Sequence, residues 1–263
     1  KRQLQELNQV ELCVRILSQA RNELYLNMPF LGVALSGFGF EAQWDLRGRG
    51  LRTDGWNFYY QPDLLFEMYR RGRVLVNRAY LHMLFHCLFE HPDARGKREK
   101  ALWDLACDIA AESVIDGLYQ KCTHLQPGAF RRETYLRLRK DLNLETLTAG
   151  GVYKALAAER PSERRLGQLV TEFLVDDHGA WEETDSPRMA MERRKRWKDQ
   201  REQAQTALEM GGEQGQEGNE SLLKELSVEN RERYDYRRFL KRFCVLREEV
   251  ETDPDSFDYG LYS

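Results

Sequence analysis

The sequence predicts an α+β fold that is mostly α-helical, with a small antiparallel sheet near the N-terminus. Residues 79–89 carry no formal charge and are apolar on every side of a helix, which is typical of a buried helix. Residues 2–25 repeat apolar side chains every three or four positions, which indicates an amphipathic helix. Residues 31–60 are rich in glycine and aromatic residues with a short period, which favours strands.

The predicted sheet follows the first helix, which ends before Pro29. The turn-forming stretch Thr53-Asp54-Gly55 separates the last two predicted strands. The strand candidates are residues 32–40 (GVALSGFGF), 41–47 (EAQWDLR) and 57–61 (NFYYQ).

Helices dominate the rest of the chain. Pro62 suits a helix start, and Pro92 stops the apolar helix at about His91. The glycine-rich residues 211–220 have the composition of a flexible linker. Helices are predicted at residues 62–71, 73–91, 99–118, 188–210 and 221–250, with shorter helical pieces in 119–151 and mixed structure in 163–186.

The composition excludes several function classes. The net charge of -3 gives no bulk attraction to nucleic acid. Glu192 and Asp199 interrupt the basic run at residues 188–201, so we interpret it as a solvated or partner-facing helix. No stretch of the sequence is long and apolar enough to predict a membrane-spanning helix. The five cysteines form no Cys-x-x-Cys pair, which suits a reducing cytoplasm.

Two histidines inside the apolar helix are the first candidates for function. His82 and His86 are four residues apart, and at about 100° per residue both imidazoles lie on one face. Two buried imidazoles need partners, and a shared metal ion satisfies both. The spacing is that of the His-Glu-x-x-His zinc helix, but Met83 stands where that motif has its glutamate general base. A thioether does no acid–base work.

The following helix supplies a third candidate ligand. Asp108 is flanked by Ala106, Ala110 and Ala111, which allow another helix to approach closely, as in zinc peptidases whose third ligand is an acid on the next helix. His91 falls about 180° round the helix from His82 unless the helix has already ended. The alternative is that both histidines are structural and bond to backbone carbonyls or an acid.

The remaining acids have other predicted roles. Asp104, Glu112 and Asp116 are interpreted as solvated acids or as neighbours of the ligands, and Glu112 is the best placed to orient an imidazole. As a replacement base, Glu90 is too far from Met83's position at about 10 Å along the helix. Glu112 would serve only if it points into the site.

A second cluster, Asp176-Asp177-His178, lies in an irregular polar stretch before Gly179. This setting predicts a turn or a cap, with His178 able to reach the mouth of the site.

Several stretches, in the same order, resemble a bacterial family of predicted metallopeptidases that carry a von Willebrand factor A-like domain at the C-terminal end. Each stretch is short, and the ordered set carries the resemblance. The matching stretches are Pro29–Gly32, Thr53–Gly55, Tyr59–Pro62, the helix of His82 and His86, Trp103–Ala110 and Asn230–Leu240.

The resemblance implies a zincin-like core and a zinc site at His82, His86 and Asp108, although another divalent metal is possible. It also implies a protein partner, a MoxR-type AAA ATPase, in the cytoplasm. The expected division is residues 1–160 as the metallopeptidase-like domain and 161–250 as a helical extension containing the linker. Residues 251–263 are expected to be a remnant leading to a C-terminal domain that the sequence does not include.

Three functional hypotheses follow. The leading one is a metal-binding, metallopeptidase-like domain that lacks the usual base, is weak or inactive as a peptidase, and serves in partner recognition or assembly. The second is an active zinc hydrolase that uses another base such as Glu112. The third is a metal-free helical interaction module.

Overall fold

A computed structural model describes residues 2–46, 48–143, 146–181, 186–211, 219–220 and 222–228. Lys1–Leu226 form one compact unit and Ser227–Ser263 form another; the features below belong to the first. The strands are β1 (Gly39–Ala42), β2 (Leu51–Thr53) and β3 (Asn57–Tyr60). The α-helices are α1 (Arg2–Asn27), α2 (Gly32–Leu35), α3 (Pro62–Arg71), α4 (Arg73–Leu88), α5 (His91–Ala94), α6 (Lys100–Gly117), α7 (Ala129–Leu142), α8 (Ala149–Glu159), α9 (Glu163–Phe173) and α10 (Pro187–Met210). The α+β, mostly helical prediction is confirmed.

The small sheet is mixed, so the prediction of an antiparallel sheet is wrong. Its order is β1-β3-β2, in which β3 pairs antiparallel with β2 and parallel with β1. The predicted turn is confirmed, since the Asp54 carboxylate accepts the backbone N–H groups of Trp56 and Asn57, both at 2.7 Å. This tight hairpin makes β3 antiparallel to β2, and the other edge of β3 pairs with β1.

Only part of each early strand candidate is extended. Residues 32–35 form α2, and β1 begins at Gly39. The candidate at residues 41–47 contributes only the end of β1, whereas residues 57–61 contain all of β3. β2 fell outside the candidates, because a three-residue strand is too short to show a period of two.

The prediction of a buried apolar helix is confirmed in α4. Every side chain from Val76 to Leu88 is buried, in contact with α1, α3, α6 and α10. The helix ends at Leu88, earlier than the expected end at about His91. Glu90 then adopts a left-handed backbone with φ of 54°, which turns the chain back on itself.

α6 lies beside α4 and is also buried along most of its length. Ala106, Ala110 and Ala111 are each 0 % exposed, so the predicted close helix approach is confirmed. On its other side α6 packs with α7, α8 and α9 around a second apolar cluster that includes Ile109 and Phe173.

α10 was expected to be solvated, and on one face this expectation is wrong. Trp197 and Arg201 are buried, and the Trp197 indole donates to the Gly55 carbonyl at 2.7 Å. Arg201 donates to the Leu88 carbonyl at 3.2 Å and to the Glu90 carboxylate at 3.0 Å. Arg201 on this face therefore binds the end of α4 instead of contacting solvent.

Several predictions fall wholly or mainly outside the described residues: most of the linker at 211–220, the helix at 221–250 beyond residue 228, the Asn230–Leu240 stretch and residues 251–263. The division at residue 160 stays a prediction. None of the described helices has the length and hydropathy needed to cross a membrane.

Candidate metal centre

Five buried side chains converge where α4 and α6 meet the segment that follows α9. One ligand atom from each lies within 4.8 Å of all the others. The five residues are His82, His86, Asp108, Asp176 and His178. The structure thus brings together the three side chains predicted as ligands, and it adds Asp176 and His178 from the second cluster, for which the sequence predicted a turn or a cap with His178 able to reach the mouth of the site.

The helical pair has the predicted geometry. The Nε2 atoms of His82 and His86 are 2.8 Å apart, and the rings meet edge to face. The Asp108 Oδ1 atom from α6 lies 3.3 Å from His82 Nε2 and 3.4 Å from His86 Nε2. Two imidazole nitrogens this close cannot both carry a proton toward each other, and a shared cation would satisfy both.

The Val175–Trp181 segment contributes the remaining two groups, so the expectation of a turn or cap is wrong for Asp176 and His178. Asp176 Oδ1 is 3.0 Å from His178 Nε2 and 3.4 Å from His82 Nε2, and His178 Nε2 is 3.1 Å from Asp108 Oδ1. The Asp177 N–H donates to the Leu51 carbonyl of β2 at 2.8 Å. This extended pairing directs residues two apart, Asp176 and His178, to the same side.

Asp177 itself faces the other way and does form the predicted turn. Its carboxylate accepts the Gly179 N–H at 2.8 Å. The only local pattern that could have revealed Asp176 and His178 as a ligand pair is their spacing of two residues. This spacing is compatible with a turn and also with an extended segment that directs both side chains to one side.

Glu112 orients His82, as predicted. Its Oε1 atom lies 2.9 Å from His82 Nδ1, so the ring donates there and directs Nε2 to the centre. Arg78 and Arg131 hold the other oxygen of Glu112 at 2.6 Å and 2.5 Å. Burial opposes ionisation, but the Arg78 charge, the His82 hydrogen bond and Arg131 outweigh it and keep the Glu112 pKa well below its usual range.

His91 contacts the second imidazole. Because α4 ends before it, His91 returns to place its Nδ1 atom 2.8 Å from His86 Nδ1. Burial, followed by the charges of His86 and His178, holds the pKa of His91 well below its ordinary value. A neutral His91 accepts from His86 Nδ1, which again leaves Nε2 facing the centre.

The charges at the centre are mutually dependent. Burial disfavours the ionised forms of Asp108 and Asp176, but His178 outweighs it and holds the pKa of both carboxyls below the usual range. Burial lowers the pKa of His82, yet its hydrogen bonds to Asp108, Asp176 and Glu112 raise that pKa well above its ordinary value. The carboxylates therefore require a cation, and a metal ion would replace the imidazole protons.

The donor set fits a divalent metal. Three imidazole nitrogens and two carboxylates suit zinc or iron. Among the described residues, the buried Asp176 Oδ2 atom has no hydrogen-bond partner, so this carboxylate has unused capacity. Trp181 covers the imidazoles, since its ring stacks on His178 at 3.8 Å between centroids and meets His86 edge-on at 4.9 Å.

A family model described as "Putative metallopeptidase domain" matches residues 14–257. The chain belongs to this metallopeptidase-domain family. No curated protein and no solved structure matched the chain. The von Willebrand-like domain expected from the resemblance lies beyond what this match tests and stays a prediction.

In this family member, Met83 lies outside the centre. Its side chain is 0 % exposed and belongs to the main apolar core. No carboxylate stands at this position, and the nearby acids are engaged elsewhere: Glu90 pairs with Arg201 at 3.0 Å, and Asp116 pairs with Arg78 at 2.7 Å. Of the two roles predicted for Asp116, the solvated one is wrong, because its carboxylate is buried against Arg78 and Arg131. Asp104 Oδ1 lies 3.7 Å from His178 Nδ1.

Proposed function

We propose that this protein is a metal-binding member of the metallopeptidase-domain family whose centre is closed to peptide substrates and which serves in partner recognition or assembly. The observation that carries the proposal is the convergence of five buried donors on a helix that has methionine at the sequence position of the motif's glutamate. A bound divalent cation would supply Lewis-acid chemistry at this centre.

The number of donors argues against hydrolysis. A catalytic zinc site has three protein ligands and keeps a position open for substrate. Here Asp176 and His178 occupy the space beside the other three donors, and every member of the set is at most 5 % exposed. The Trp181 ring covers two of the imidazoles. A substrate carbonyl would have to displace one of these groups.

Zinc is the metal we propose, at His82, His86 and Asp108 with Asp176 and His178. The imidazole-rich set supports it, and the pair of carboxylates also suits iron. Metal content measured by mass spectrometry, on protein purified without an affinity-metal step, should show one divalent ion per chain.

The decisive measurement is metal-dependent peptide cleavage by the wild type, and Met83→Glu is compared with it, with Met83→Leu as the matched control. If the centre is closed, restoring the glutamate adds no peptide cleavage and lowers stability, because a carboxylate enters an apolar core. Met83→Leu should keep the metal and cost less than about 1.5 kcal/mol.

Two results would contradict the proposal. Metal-dependent peptide cleavage by the wild type or by Met83→Glu, lost on His82→Ala, would mean that the centre is open. Absence of stoichiometric metal, with His82→Ala destabilising the fold whatever metal is added, would favour the metal-free interaction module.

The second candidate function is an active hydrolase with another base. Glu112 is poorly suited, because two arginines and His82 engage its carboxylate and its pKa is low. Asp176 is better suited, since its Oδ2 atom has no hydrogen-bond partner within the part of the chain that the structure describes. This candidate requires cleavage by the wild type; Glu112→Gln would test the first base and Asp176→Asn the second.

The partner rests on the family resemblance alone. We propose a MoxR-type AAA ATPase as the protein partner, in the cytoplasm, with no nucleic acid or membrane component. Direct binding of a purified ATPase of that type to the full chain, measured by calorimetry, would test it, and no detectable binding would count against this partner.

A further inference from the structure

The metal centre is assembled from two halves that come from distant parts of the chain. The helix-borne half is His82, His86 and Asp108 on α4 and α6, and the segment-borne half is Asp176 and His178. We propose that Arg131, on α7, is the positioning residue that holds these two halves in register. This inference rests on the metal centre proposed above.

Arg131 reaches the helix-borne half through Glu112. Its Nη1 atom donates to Glu112 Oε2 at 2.5 Å and to Asp116 Oδ2 at 3.3 Å. The opposite oxygen of Glu112 receives the His82 Nδ1 proton. Together with Arg78, the guanidinium therefore sets the position of the carboxylate that orients His82.

The same guanidinium reaches the segment-borne half through the end of α9. Its Nε atom donates to Glu172 Oε1 at 3.1 Å, and Nη2 donates to the Glu172 backbone carbonyl at 2.6 Å. Its Cζ atom lies 4.9 Å from the centre of the Phe173 ring. Because Asp176 follows four residues after Glu172, this anchor determines where the ligand segment starts.

The role needs an arginine, because a planar fork of five N–H groups can bond both halves at once, whereas lysine offers a single point charge. Arg131→Lys thus keeps the charge and removes the link. The substitution is compatible with folding, since Arg131 borders a cavity of about 450 Å³ from which water can reach Glu112 and Glu172.

The test is a zinc titration of the metal-free full chain against a chromophoric chelator. Arg131→Lys and Arg131→Ala should both bind zinc about 10 to 100-fold more weakly than the wild type. The matched control is Arg132→Ala, because Arg132 is the exposed neighbour on the same helix and donates to the Pro127 carbonyl, away from the centre. It should bind zinc like the wild type.

Each result separates the two claims. Zinc affinity of Arg131→Lys equal to that of the wild type would overturn the positioning role while leaving the metal centre intact. A lower melting temperature of the metal-free variant with unchanged zinc affinity would overturn it as well, because the contact would then be only structural. No zinc binding by the wild type would overturn the proposed function and this inference with it.

Discussion

The imidazole of His82 has both of its nitrogens directed by neighbours. The Glu112 carboxylate accepts the hydrogen bond from His82 Nδ1, so His82 Nε2 faces His86, Asp108 and Asp176. A residue with both ring positions assigned in this way is oriented before any ion arrives, and this reduces the cost of ligation. At the scale of single residues, the centre therefore depends on the direction in which each polar side chain points.

Asp176 and Asp177 are neighbours that point in opposite directions, so a substitution at each of them tests this dependence. Asp176→Asn should lose most of the metal, because it removes a buried anionic donor. Asp177→Asn is the matched control, since Asp177 is the exposed neighbour that bonds the Gly179 N–H. Metal content of the two purified variants would decide the matter, and equal retention would show that Asp176 is not a ligand.

At the scale of elements, the end of α4 is the critical feature. The helix stops at Leu88, and the left-handed Glu90 sends His91 back against His86. α10 stabilises this change of chain direction, because Arg201 donates hydrogen bonds to both the Leu88 carbonyl and the Glu90 carboxylate. α10, which its charged composition predicts to be solvated, thus stabilises the geometry of the candidate metal centre.

Arg201→Met should destabilise the compact unit strongly. It removes the Arg201 guanidinium from the buried Glu90 carboxylate, and breaking a buried ion pair costs about 3–5 kcal/mol. Lys195→Ala, an exposed change on the same helix, should shift stability by no more than about 0.5 kcal/mol. Urea denaturation measures both; an Arg201→Met midpoint close to that of the wild type would contradict the proposed role of the pair.

At the scale of the whole molecule, the centre joins chain segments that are nearly a hundred residues apart. His82 and His178 meet because α4, α6 and the segment paired to β2 converge around it. A ligand that binds only this folded arrangement stabilises it by mass action. Metal binding and folding should therefore be coupled.

Adding zinc to the metal-free protein should raise its melting temperature. At a thousand times the Kd the gain is about 4 kcal/mol, or roughly ten degrees for a unit of this size. Calorimetric scans with chelator and with zinc would measure it. The His82→Ala variant should show little of this rise; an equal rise there would place the stabilising ion elsewhere.

Prediction from sequence succeeded within the two long buried helices, where the geometry is local and regular. The spacing of His82 and His86 fixes their common face within one helix, and the alanines beside Asp108 anticipate a close helix contact. Glu112 was expected beside an imidazole for the same reason and is found there. Each of these residues lies on one of two long, apolar helices whose periodicity is strong.

The amino-acid sequence by itself therefore determined the buried histidine helix, its acidic neighbour and the absence of a glutamate at Met83. Only the tertiary structure decided that Asp176 and His178 complete the centre. Their direction comes from a backbone hydrogen bond between Asp177 and Leu51, more than a hundred residues apart. A pairing of this kind follows from how distant segments pack, and a local spacing pattern carries no information about it.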